Sequence, residues 1–191
     1  LFSDIPTLAD KMRILKLKFS LLNYAIEKDK SEDQETIVFL KEYGFSENMI
    51  SQFFLPFFAG IFLENKLSTS SKFFKYVFSK FGKGLASLPS NGMQEIPENM
   101  LRRVDRDNVF LNCELENITK DKKVKLQDGT TIVPSKIVFT GNSQKLINKK
   151  VVNYNSVKTL YFNTNVNLDY SSYIHIFPQE EYINNIAFLT S

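Results

Sequence analysis

Leu8, Met12, Leu15, Phe19, Leu22 and Ile26 recur three or four positions apart, the spacing of one helix face. Thr7 with Asp10 three residues later reads as a capping box at the start of that helix, Asp standing where Glu is usual. Lys11, Arg13, Lys16 and Lys18 interrupt the run, so the helix is amphipathic and not membrane-spanning. Residues 28–36, KDKSEDQET, form a charged connection. A short helix over 37–43 comes next, which Gly44 can close in the left-handed conformation. Ser46 is placed to cap the next helix, with Phe45 and Ile50 spaced for a hydrophobic staple, and Pro56 stops or kinks it. After Ser70 or Ser71 as cap, Phe73, Phe74, Val77, Phe78 and Phe81 make one broad apolar face ending at Gly82.

The period then changes from helical to alternating. After a loop and a helix near 93–104, residues 109–118 put Val109, Leu111, Cys113 and Leu115 on one face of a strand. Asp128 and Gly129 lie between two short alternating runs, a hairpin signal. Residues 136–141, KIVFTG, read as a strand buried on both faces. Three further strand-like runs cover SVKTLYFNTNV, SYIHIFP and NNIAFLTS. The pattern predicts an α+β chain: residues 1–104 mainly helical, 108–191 mainly antiparallel strand.

Composition narrows the function classes. The chain has 191 residues, 43% hydrophobic and 24% charged, with a net charge of +3, too small to imply nucleic acid. One cysteine, Cys113, excludes an internal disulfide framework and suits a reducing, cytoplasmic compartment. With one histidine, His175, the chain lacks the ligands of a zinc site, and no metal is expected. His175 reads as structural or surface, Cys113 as a small buried hydrophobe, and Glu114 and Glu116 as a solvated strand face. Residues 51–84 hold nine phenylalanines, five lysines and one acid, Glu64. Pattern leaves three readings open: a helical core, a wall for an apolar ligand, or a grip on a membrane surface. The apolar run 53–63 is too short to span a bilayer, which needs ~20 residues. No signal peptide is visible, and a chain running from Leu1 to Ser191 reads as a piece of a longer protein.

Residues 39–74, FLKEYGFSENMISQFFLPFFAGIFLENKLSTSSKFF, followed by GLASLPSNGMQEIPENM, resemble the flavin-dependent amine oxidase superfamily, nearest its phytoene-desaturase-like branch. The similarity continues through VFLNCELENI, VKLQDGTTI and KIVFTG to INNIAFLTS. The resemblance implies a two-domain flavoenzyme fold, in part: 1–84 the helical part of the substrate domain, 85–143 a return to the FAD-binding domain, and 144–191 the start of an antiparallel substrate-domain sheet. It implies FAD in the parent protein, a hydride taken from an apolar or amine substrate, and the remaining segments of the same chain as partners. It leaves room for peripheral membrane contact. The alternative is a non-catalytic module for a hydrophobic ligand or a membrane surface.

The resemblance assigns few site residues. Leu115 matches the position whose backbone N–H and C=O meet the adenine of FAD, and Thr140 and Gly141 match a strand end that approaches the cofactor. Phe53, Phe57, Phe58 and Ile61 become candidates for the substrate cavity. No catalytic side chain is expected, because the flavin performs the hard step. The family's GxGxxG turn is absent, as is its C-terminal flavin segment, so truncation at both ends and no cofactor on this chain alone are the expectations.

Overall fold

The structure is a computed structural model, and it describes residues 6–81, 83–84, 87–140, 153–163, 165, 174–177 and 182–188. The chain divides into two units: Leu1–Ala86 with Asn155–Ser191, and Ser87–Tyr154.

In the first unit, helix α1 (Leu8–Ser20) starts at the anticipated capping box. The Asp10 N–H donates to Thr7 Oγ1 at 3.1 Å, and the Thr7 N–H donates to Asp10 Oδ2 at 3.1 Å. Asp10 does more than cap its own helix. Its carboxylate also accepts the N–H of Ser46 at 2.9 Å and the Ser46 hydroxyl at 2.7 Å, thirty-six residues on. Ser46 in turn caps helix α3 (Glu47–Met49), accepting the Met49 N–H at 3.1 Å. One buried carboxylate therefore joins two helix N-termini.

That junction overturns the expected face of α1. The buried side carries Asp10 and Leu17, with Leu21 just beyond, while Leu8 (79% exposed), Met12, Leu15, Phe19 (68%), Leu22 and Ile26 face outward. A helix turning once in about 3.6 residues puts the two sets on opposite sides. The richer apolar stripe loses to the one that contains Asp10, because a buried carboxylate must keep its hydrogen bonds.

Helix α2 (Thr36–Glu42) closes as anticipated, Gly44 at φ 94°. The Phe45 N–H reaches the Leu40 carbonyl and the Gly44 N–H reaches Lys41, the paired bonds of a Schellman ending. Its N-terminus is tied to the approach to helix α5 (Ser71–Phe81): the Thr36 N–H donates to the Thr69 carbonyl at 2.9 Å, and the Ser71 N–H to Gln34 at 2.8 Å. Asp33, from the charged connection, accepts the Ser70 hydroxyl at 2.9 Å, and Ser70 Oγ accepts the Phe73 N–H as the cap.

Pro56 does not stop the helix after α3. A π-helical turn over Ile50–Phe54 leads into α4 (Leu55–Phe62), with the Leu55 N–H bonded to the Ile50 carbonyl. The wider turn carries the chain past a ring that has no N–H to give. Two asparagines hold α4 from the chain's later part. Asn184 donates to the Pro56 carbonyl at 3.1 Å, and Asn155 to that of Phe62 at 3.2 Å, where a helix end leaves carbonyls unpaired. A side chain on Gly60 would overlap Asn184 Oδ1, so glycine permits this approach.

The core collects Leu17, Leu21, Leu40, Phe45, Ile50, Phe54, Phe58, Leu67 and Phe74. On α5 the fully buried ring is Phe74, with Val77 and Phe78 packed against the core, whereas Phe73 and Phe81 (50%) are exposed. The broad face expected of α5 is thus narrower, centred on Phe74, because α2 and α4 cover one side only. Gly82 lies outside the described residues. Strands β4 (Ile174–Ile176) and β5 (Asn185–Ala187) pair antiparallel, Ile174 opposite Ala187.

The second unit holds helix α6 (Glu95–Leu101) and an antiparallel meander: β1 (Leu115–Ile118), β2 (Val124–Leu126) and β3 (Thr131–Ile132), in the order β1-β2-β3. The hairpin forms with Gly129 at φ 86°. The Gly129 N–H bonds to the Leu126 carbonyl at 3.0 Å and the Leu126 N–H to Thr130 at 2.9 Å, a three-residue turn closed by a left-handed glycine.

Strand content is smaller than the alternation predicts. Residues 109–114 form no strand, so Leu111 and Cys113 are exposed instead of buried on one face. Residues 136–140 are likewise irregular, with Val138 85% exposed, and the run 156–163 forms no strand. An apolar run becomes a strand only where a neighbour pairs its backbone, and among the described residues no strand pairs with these. The α+β class holds.

This packing has two measurable consequences. Burial alone would raise the Asp10 carboxyl, but the bonds from Thr7 and Ser46 outweigh it and hold its pKa at about 2, against 3.8 when free. A lowered carboxylate stabilises fully above its unfolded value and loses that contribution as pH falls towards the folded value, here between about pH 4 and 2. Asp10→Asn should cost about 2 kcal/mol near neutral pH, and its deficit against the wild type should shrink across that window in urea titrations. An equal deficit at pH 2 and pH 7 would contradict the assignment. Phe74→Ala should cost about 3–5 kcal/mol, as for other buried phenylalanines, and Phe81→Ala far less. Equal losses would place both rings in one core.

Candidate functional site

The aromatic block yields one open surface and one core. Phe53 and Phe57, four residues apart, stack with centroids 5.7 Å apart and planes at 6°. Phe57 meets Phe58 edge-on at 5.2 Å and Phe81 at 5.4 Å. Phe53 and Phe57 are half-buried and Ile61, four residues further, is exposed. Phe58 is buried, its ring against Phe74 at 4.8 Å and Phe62 at 5.3 Å. Three of the four cavity candidates therefore share a partly open ridge, and Phe58 supports it from beneath. The ridge offers aromatic faces and aliphatic surface to an apolar molecule, and none of these side chains titrates.

A cleft of about 630 Å³ opens at the C-terminal end of α1, lined by Phe19, Leu22, Tyr24, Asp29, Tyr43 and Lys75 among others. Asp29 organises it. It accepts the Tyr24 hydroxyl at 2.7 Å and the Ser31 hydroxyl at 2.5 Å, and pairs with Lys75 at 3.2 Å. Hydrogen bonds from Ser31 and Tyr24 hold the Asp29 carboxyl well below the usual range. Burial, then the bond to Asp29 and its charge, push the Tyr24 phenol well above its own. Near neutral pH the carboxylate stays charged and the phenol stays protonated. The cluster is a tether between the residues after α1 and helix α5, with no proton to exchange. Local sequence could not reveal it, since Asp29 reads as one charge in a polar run and Lys75 lies forty-six residues away.

In the second unit, Leu115 lies on an open edge. Its partner across the ladder is Leu126, and the flanking bond runs from the Gln127 N–H to the Glu114 carbonyl at 3.0 Å. That bond makes Leu115 and Leu126 a non-hydrogen-bonded pair, so the N–H and C=O of Leu115 point away from β2. β1 ends the strand order, and the side to which they point carries no strand among the described residues. Glu114 and Glu116 are exposed, as expected. Thr140 is exposed on the irregular stretch, and Gly141 lies outside the described residues. His175 sits in β4 with its ring edge-on to Phe188 at 5.6 Å. No cluster of metal-ligating side chains occurs among the described residues.

A family model described as flavin containing amine oxidoreductase matches residues 4–172. The chain belongs to the flavin-containing amine oxidoreductase family. FAD is the cofactor this family implies for the parent protein, and the chemistry it implies is oxidation–reduction. No curated protein and no solved structure matches the chain. No helix among the described residues is long and apolar enough to cross a membrane. An adenine edge needs one donor and one acceptor side by side, and an outward-facing residue of an antiparallel edge strand presents that pair.

If Asp29 is a tether, Asp29→Ala should cost about 1–3 kcal/mol, the scale for removing hydrogen bonds to a charged group, here in a partly buried ion pair. Chemical denaturation measures it. A loss within the noise of a surface substitution would show that Tyr24 and Lys75 are solvated without it.

Proposed function

We propose that this chain is part of a FAD-dependent oxidoreductase of the phytoene-desaturase-like branch, with an apolar molecule or an amine as substrate. The observation that carries this reading is the outward donor–acceptor pair of Leu115, within a chain that matches the flavin family. Bound FAD would supply the hydride acceptor. The chain's own residues would do the rest. Leu115 would hold the adenine through its main chain, with Thr140 and Gly141 as a second approach to the cofactor. The ridge of Phe53, Phe57 and Ile61, backed by Phe58, would line the substrate side and keep water from it. In this scheme 1–84 and 144–191 serve the substrate domain and 85–143 the FAD domain.

The burial pattern supports a need for further segments of the same protein. None of the described residues of the second unit is buried, so its apolar positions, Leu111 and Val138 among them, lack cover of their own. A non-catalytic module for an apolar ligand would use the same ridge, and the family match favours the enzyme. The same reading puts the parent protein in the cytoplasm and leaves this chain inactive by itself.

FAD should bind this chain weakly, because no GxGxxG turn is present to meet the pyrophosphate. Three missing charge-assisted bonds, each worth about 1.5–3 kcal/mol, weaken binding more than about a thousand-fold. Amide correlation spectra with excess FAD should therefore shift the Leu115 and Glu116 signals without saturating at low micromolar ligand. Unmoved Leu115 signals would remove the adenine assignment. A purified chain that is yellow with stoichiometric flavin would contradict the account of the missing phosphate site.

A further inference from the structure

Of the glycines in the sequence, Gly92 alone follows an asparagine, and Asn91 and Gly92 are both exposed in the second unit. Gly92 has φ 86°, and a Cβ placed on it would meet nothing within 4 Å. No side chain of its own therefore shields its main-chain nitrogen, and the space beside its Cα is open. The Gly92 N–H donates to the Pro89 carbonyl at 3.0 Å, which closes a reverse turn over 89–92. That turn leads straight into α6: the Glu95 N–H bonds to the Gly92 carbonyl at 3.1 Å, and the Asn91 N–H reaches Glu95 Oε2 at 3.4 Å. The hairpin at Asp128 and Gly129 has the same left-handed glycine but an acid before it. Asp128 Oδ1 accepts the Thr130 N–H at 2.8 Å, and that bond holds the carboxyl below its usual range, so it stays ionised.

We propose that Asn91 is a site of spontaneous modification, deamidated through attack by the Gly92 nitrogen, and that the 89–92 turn sets its rate. The Gly92 nitrogen gives up its proton and bonds to Cγ of Asn91. The Cγ–Nδ2 bond breaks, and the amide nitrogen leaves with that proton as ammonia. A five-membered imide remains. Water then opens the ring at one of its two carbonyls and returns a proton to the Gly92 nitrogen. One opening leaves Asp at position 91, and the other leaves an isoaspartyl link that lengthens the main chain. The sum is one water consumed and one ammonia released, with no oxidant or reductant. Gly92 can attack only after its N–H lets go of the Pro89 carbonyl, so the turn slows the step without preventing it. Asp128 is a poorer target, because an ionised carboxylate resists a nucleophile and has no amide to expel. Both products at 91 put a carboxylate beside Glu95, where the amide was neutral, at the entrance to α6. The proposal stands whether or not the chain serves a flavoenzyme.

The chain is held in mildly alkaline buffer made with water enriched in heavy oxygen, folded in one sample and unfolded by guanidinium in the other. Trypsin releases residues 84–102 as one peptide, and fragmentation in the mass spectrometer separates Asn91 from Asn99 within it. Asn91 should change from amide to acid ahead of every other asparagine and take up one heavy oxygen as it does. Unfolding should speed the change about two- to tenfold, the factor that one hydrogen bond of ordinary net strength sets. Asp128, which would also take up label if it passed through an imide, should do so more slowly than Asn91. Gly92→Ala should slow the change at Asn91 severalfold even in guanidinium, where a methyl beside the attacking nitrogen acts without any fold to disturb. The site is overturned if Asn91 stays an amide while other asparagines convert, or if Gly92→Ala leaves the unfolded rate unchanged. Control by the turn is overturned if the folded chain reacts as fast as the unfolded one. Label entering Asp128 as fast as Asn91 would overturn the distinction drawn between amide and carboxylate.

Discussion

The carboxylate of Asp10 decides how the first unit is assembled. It is fully buried, and it accepts bonds from Thr7 at the start of α1 and from Ser46 at the start of α3. A charge in that position is tolerable only while those donors surround it, so α1 has one rotation in which the demand is met. Leu17 and Leu21 then point to the core, and the longer apolar stripe from Leu8 to Phe19 must point away. Hydrophobic content alone would have chosen the other rotation.

Fixing α1 and α3 also fixes the helical run beyond α3. The π-helical turn and α4 deliver Phe54 and Phe58 to Phe74 of α5, with ring centroids 5.9 and 4.8 Å from it. The ladder-like bonds between 34–37 and 67–71 hold α5 in register with α2. Phe53 and Phe57, on the flank of the same helical run, remain half open and stack on each other. One packed aromatic cluster thus produces both the core and the ridge that faces a substrate in the proposed function.

The features legible in the sequence were mostly local. Thr7, Ser46, Ser70 and Gly44 mark helix ends through bonds made within a few residues, and each mark is realised in the structure. Gly129 marks its turn for the same reason. The errors come from interactions with distant partners. The exposed stripe of α1 depends on Ser46, the tether at Asp29 on Lys75, and the absence of a strand over 136–140 on the lack of a pairing neighbour. Among the site residues, the open edge at Leu115 depends on the β1–β2 register, which the alternating pattern of residues could not fix.

If Asp10 sets the rotation of α1 through Ser46, the two residues must be energetically coupled. A double-mutant cycle with Asp10→Ala and Ser46→Ala, read by urea denaturation at neutral pH, measures that coupling with the other cap contacts cancelled. The account predicts a coupling of about 1–3 kcal/mol, the range for residues in one buried hydrogen-bond network. Additive losses, with coupling near zero, would mean that the two helix starts are capped independently and that something else turns the stripe of α1 outward.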